Sequence, residues 1–220
     1  MKIISQDSCR VTILFPLEEV IPLDGMNGPT AIAKIQQRYE FLKTPDPAMT
    51  REEATKAGYK FGTGQFPLKG KKSVIVEFAI YADGIVADAR NSEIAETFLD
   101  DIIHFMQSEF EFRQFTTEPK RYFWNQIVVE FEKPIERLFP SFEKISGIIS
   151  RYLNSDMSMS LARFDLQAEK GLQADAGPSP KFILERRVGI PYKNERYYSS
   201  APIKTDEHIT LLEEIERLIA

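Results

Sequence analysis

The 220-residue chain carries a single cysteine, Cys9, and a formal net charge of -5, so it can close no internal disulfide and has no general electrostatic pull toward nucleic acid or anionic lipid. It is long enough to bury a substantial core, as one large domain or two small ones sharing a sheet. The apolar run Val11 to Leu17 is too short to cross a membrane and lacks the basic start and small-residue cleavage site of a leader, which points to a cytoplasmic protein.

Ile3 to Phe15 alternates as a strand does, with Cys9, Val11, Ile13 and Phe15 on one side and Arg10, Thr12 and Leu14 on the other, until Pro16 ends it. Cys9 reads as a small buried hydrophobe. Thr30 to Leu42 places Ile32, Ile35, Tyr39 and Leu42 on one helical face, and Pro45 and Pro47 stop it. Thr50 to Lys56 suits a short helix, Thr50 as N-cap and Glu53 completing a capping box. Gly58 to Lys72 reads as loop or irregular strand.

From Ser73 the pattern sharpens into a hairpin around Asp83-Gly84, a pair suited to the positive φ angles of a type I′ turn. That turn would set Ala82 opposite Ile85, Phe78 opposite Ala89 and Glu77 opposite Arg90. Val74, Val76, Phe78, Ile80, Ala82, Ile85, Ala87 and Ala89 would then share an apolar face. A helix from Ser92 to Phe110 follows, with Ile94, Phe98, Leu99, Ile102, Phe105 and Met106 as its stripe and Glu93, Glu96, Asp100 and Asp101 outside. Arg121 to Glu132 alternates as a further strand.

The order strand, helix, strand, strand, helix, strand is that of a ferredoxin-like βαββαβ unit, so the fold class expected is α+β, an antiparallel sheet with helices on one face. Residues 1–133 would form this unit. Residues 134–220 would add a shorter αββα unit sharing or extending the sheet. It comprises a helical Pro134 to Leu153 interrupted near Pro140, strands at Met157 to Ala168 and Lys181 to Val188, a Gly/Ala/Pro-rich loop between them, and a final helix from Thr205 to Ala220.

No stretch amounts to a diagnostic catalytic motif. In Gly64 to Ser73 the glycines are spaced wrongly for a phosphate-binding loop and a strand follows where a helix is required. His104 and His208 are the only histidines, neither sits in a metal-binding pattern, and both read as surface residues. No nucleophile stands beside a base, and no cofactor or metal is expected.

Two groups of residues stand out as candidate binding surfaces. One is the polar sheet face, with Glu77, Asp88 and Arg90 from the hairpin and Trp124 from the fourth strand. It lacks the aromatic signature of RNA-binding sheets, and its acids offset its arginines. The other is Lys181 to Thr205, a long segment read as irregular after Gly189 that gathers Arg186, Arg187, Arg196, Tyr197 and Tyr198, residue types favoured at interfaces. The expected function is a non-catalytic interaction or assembly protein that self-associates or binds a protein partner. The alternatives are nucleic-acid binding, and an enzyme acting on a phosphorylated or nucleotide-like substrate. In the enzyme, Arg186, Arg187 and Arg196 would hold the anion and Asp88 or Glu77 would serve as acid/base.

Overall fold

A computed structural model describes residues 1–25, 27–153, 159–168 and 180–220. The fold is mixed α and β on antiparallel strands, and backbone contacts divide the chain into two compact units, Ser8–Asn125 and Met1–Asp7 with Gln126–Ala220. Two strands, β1 (Lys2–Leu14) and β5 (Lys120–Glu130), contribute residues to both units.

In the unit Ser8–Asn125, β1 is followed by a single helical turn α1 (Leu17–Val20), helices α2 (Gly28–Tyr39) and α3 (Arg51–Ala57), strands β2 (Tyr59–Leu68), β3 (Lys71–Tyr81) and β4 (Gly84–Ala89), and helix α4 (Ser92–Phe110). The strands are hydrogen-bonded in the order β2-β3-β4-β1. Both long helices start where a side chain satisfies the free backbone N–H groups of the first turn. Asn27 accepts from the Thr30 N–H at 3.0 Å, and Asn91 accepts from the Ile94 N–H at 3.0 Å. Thr50 and Glu53 form the expected capping box of α3. The helices bury Ile32, Ile35, Tyr39, Phe98, Leu99 and Ile102 against Cys9, Val11, Ile13, Phe78, Ile85 and Ala87 of the sheet.

The hairpin differs from the sequence expectation in its register. Tyr81 pairs with Gly84, so Ala82 and Asp83 make the turn, and Phe78 faces Ala87 in place of Ala89. Gly84 is needed for a different reason: its φ is +151°, and a Cβ there would run into the carbonyl oxygen of Ile13 on β1. Between Ile75 and Glu77 the pairing slips by one residue. This bulge turns Ile75 into the core and leaves Val74 and Val76 more than half exposed, against the all-apolar face the alternation implied. Gly58 to Lys72 is also more regular than expected, since most of it is β2, paired with β3 along its length.

The other unit contains a 3-10 turn at Ile135–Leu138, helix α5 (Phe142–Tyr152), strands β6 (Arg163–Gln167), β7 (Lys181–Arg186) and β8 (Arg196–Ala201), and helix α6 (Thr205–Ile219). Its strand order is β5-β8-β7-β6. The segment after Gly189, read from sequence as irregular, returns as β8, so this half holds three strands between its helices where two were expected. The predicted Gly/Ala/Pro-rich loop and the start of the preceding strand fall largely outside the described residues. Helix α6 buries Leu212, Ile215 and Ile219 with Ile127, Val129, Leu184 and Tyr197. Each half therefore runs from a strand through helix to three strands and a closing helix, with the first strand beside the fourth; the first half has α1 and α3 in addition to α2, where the second has the 3-10 turn and α5.

Candidate functional site

Of the arginines singled out by sequence, Arg186 is the most enclosed. Its Nε donates to the Leu161 carbonyl at 3.0 Å, Nη1 to the Tyr192 carbonyl at 3.1 Å, and Nη2 to Glu136 at 3.1 Å and Glu195 at 3.0 Å. The guanidinium carbon also lies 4.7 Å and 4.9 Å from the ring centres of Tyr192 and Tyr197. Tyr197 is fully buried and donates its hydroxyl proton to Glu195 at 2.6 Å; burial first, then this acceptor, pushes its pKa up. Arg196 forks onto Glu130, Arg187 is exposed, and Tyr198 is half-buried. The cluster is thus a charge-compensated peg between β7, β8 and the 3-10 turn at Ile135–Leu138, with Arg186 tied to its own neighbours on every side.

On the polar face, the register sets Asp88 between Arg10 and Glu77, replacing the expected Glu77–Arg90 pair. Arg10 binds Asp88 with two parallel bonds of 2.7 and 2.6 Å, chiefly through which its pKa is raised. Arg90 is exposed and Trp124 is 48% exposed. This row is a cross-strand ion pair of the ordinary kind, worth roughly 0.2 to 1 kcal/mol.

His208, read as a surface residue, is fully buried on α6 with its Nε2 2.8 Å from Ser199 Oγ. The pair has the look of a catalytic dyad but lies wholly inside the core. Ser199 Oγ is also 3.3 Å from the Ile183 carbonyl, and with its hydroxyl proton placed there the ring donates through Nε2–H. His208 Nδ1 has no hydrogen-bond partner among the described residues. Burial lowers the His208 pKa to about 4, and both side chains are shut off from any substrate. Among the described residues, no group of His, Cys, Asp and Glu side chains is arranged to hold a metal ion.

The feature most suited to binding was not visible in the sequence. Within the unit Ser8–Asn125, α1, α2, β2, β3 and the end of α4 surround an open pocket of about 770 Å³. Leu17, Ile21, Ile32, Ile35, Phe61 and Met106 supply apolar wall, while Glu18, Tyr59, Tyr81 and Arg113 contribute polar groups. Pro16 turns the chain out of β1, and Arg113 then ties α1 down: its N–H donates to the Val20 carbonyl at 2.8 Å and its guanidinium to the carbonyls of Ile21 and Glu18 at 3.1 and 2.8 Å. Gly58, at φ +72°, lets the Tyr81 ring lie over the backbone, since a Cβ there would sit 2.5 Å from that ring. The described residues lining the pocket include no histidine, cysteine or serine; its polar side chains are those of Glu18, Tyr59, Tyr81 and Arg113, set in a wall that is mainly apolar.

No protein-family model matches the chain, and no curated protein matches it either.

Proposed function

We propose that this chain is a non-catalytic interaction protein whose recognition surface is the apolar pocket between α1, α2, β2 and β3, and that the pocket receives apolar side chains of a protein partner. The observation carrying this reading is the pocket itself, an open recess of about 770 Å³ whose walls are mostly hydrocarbon and so suit apolar side chains. A cytoplasmic setting fits a chain whose one cysteine is a buried free thiol. In addition, no helix among the described residues is long and apolar enough to cross a membrane. We read the first part as ferredoxin-like, a reading supported by the hydrogen-bonded succession β3-β4-β1 and by α2 and α4 sharing one core with that sheet. The enzyme reading gains no support from Arg186, whose donors already serve Glu136, Glu195 and two carbonyls.

A plug tests the proposal. Gly28 lines the pocket, and a Cβ at this position meets nothing within 4 Å, so Gly28→Trp adds a bulky ring at the pocket; because the residue before Pro29 is disfavoured in helical backbone once it carries a side chain, the helix it opens is checked separately. Captured from the native host, a partner of the wild-type protein should be lost by Gly28→Trp, with the circular dichroism spectrum unchanged. Equal capture by both proteins would refute the pocket as the recognition surface.

A further inference from the structure

Helix α5 carries Ile145, Ile148, Ile149 and Tyr152 on one face, at the i, i+3, i+4 and i+7 spacing of a helix built to bury a stripe. Yet it buries none of its side chains: these four residues are 53%, 44%, 39% and 87% exposed. The helix at the equivalent place in the other half, α2, buries Ala31, Ile32, Ile35 and Tyr39. An amphipathic helix that stays uncovered is the standing signature of a contact surface.

Among the described residues the chain thus carries both a helical apolar ridge that packs into no groove of its own and an open apolar groove. Their charges also match. On α5, Lys144 and Arg151 lie seven residues apart along the flank next to Ile148, both exposed, and outnumber the one acid of the helix, Glu143. At the pocket, α1 and the loop after it present Glu18, Glu19 and Asp24 as exposed acids, with Glu18 in the wall itself, against the single cation Arg113 among the described lining residues. We propose that the partner of the pocket is a second copy of this chain, whose α5 docks by its Ile145–Ile149–Tyr152 face with Lys144 and Arg151 toward the α1 acids. This inference rests on the pocket reading above and gives it a specific occupant. Because every copy has both ridge and groove, two copies exchanging helices close a dimer, and a one-way exchange extends into a longer assembly.

The test uses the intact chain. Wild-type protein should form dimers or larger species in sedimentation at roughly 100 μM, and the assembly should weaken as salt rises. Ile145→Glu/Ile149→Glu should leave it monomeric with an unchanged circular dichroism spectrum, since α5 contributes no buried residue to either core. A labelled peptide of residues 141–153 should bind that monomeric variant saturably. Adding Gly28→Trp to the same protein should weaken the peptide at least about tenfold. Failure of the peptide to bind, or a wild-type protein that stays monomeric, overturns the second copy as occupant. If Gly28→Trp nevertheless loses a different captured protein, the pocket reading survives alone. A Gly28→Trp variant that changes neither peptide binding nor capture removes both.

Discussion

Replacing Arg186 with methionine is expected to destabilise the protein by about 3 to 5 kcal/mol, because it strands two carboxylates in a place built for a cation. Glu136 and Glu195 are each 15% exposed at the side chain and share the Nη2 group of Arg186, whose own side chain is 10% exposed. With the guanidinium gone, the acids repel each other with little water to screen them, and Tyr192 and Tyr197 lose the cation packed on their rings. Chemical denaturation would measure the loss. The cause has its own signature: Arg186→Met combined with Glu136→Gln and Glu195→Gln should recover most of the stability, since replacing a whole buried ionic group costs far less than breaking it. A triple variant as unstable as the single one would mean that shape, not charge, is what Arg186 contributes.

The second large effect is an acid limb set by His208. Its ordinary pKa is 6.5, and burial lowers it to about 4 in the folded protein, so between these values the unfolded chain binds a proton that the native state refuses. Stability from this residue is complete above pH 6.5 and falls as the pH drops toward 4, at up to about 1.4 kcal/mol per unit and roughly 3 kcal/mol in all. Carboxylates titrate in part of the same window, so the comparison must be with His208→Gln, which keeps a polar side chain beside Ser199 but cannot titrate. Its stability should decline less steeply than the wild type between pH 6.5 and 4. Parallel curves would mean that the imidazole takes up its proton as readily in the native protein as in the unfolded chain.

These two residues also mark where sequence reading succeeded and where it stopped. Strand β1, helices α2, α4 and α6 and strand β5 were legible because each has an unbroken period, helped at some ends by a local stop such as Pro16 or Pro45. Strand β2 was hidden because Gly62, Gly64 and Pro67 interrupt the alternation, although pairing with β3 continues through all three. The hairpin register failed for a tertiary reason: Gly84 serves the approach of β1, and the turn moves one residue earlier to Ala82-Asp83. His208 looked like a surface residue because the first turn of a helix is commonly exposed, and only the packing of α6 shows otherwise. The pocket had no local trace at all, since its walls come from α1, α2, β2, β3 and the end of α4. The Arg/Tyr-rich segment was conspicuous in sequence, but of the acids that bind its arginines only Glu195 is local; Glu136 and Glu130 lie more than forty residues earlier.

The threading of β1 through both compact units bears on how the polypeptide matures. Met1–Asp7 packs with Gln126–Ala220, whereas the residues just after it pack with the stretch up to Asn125. On a ribosome, the Ser8–Asn125 unit can assemble once it emerges, while residues Met1–Asp7 wait for partners made much later. Synthesis would therefore pass through a state in which one half is native and the strand segment just before Ser8 is still unpaired, the moment at which this chain is most open to chaperones and to pairing with the wrong neighbour.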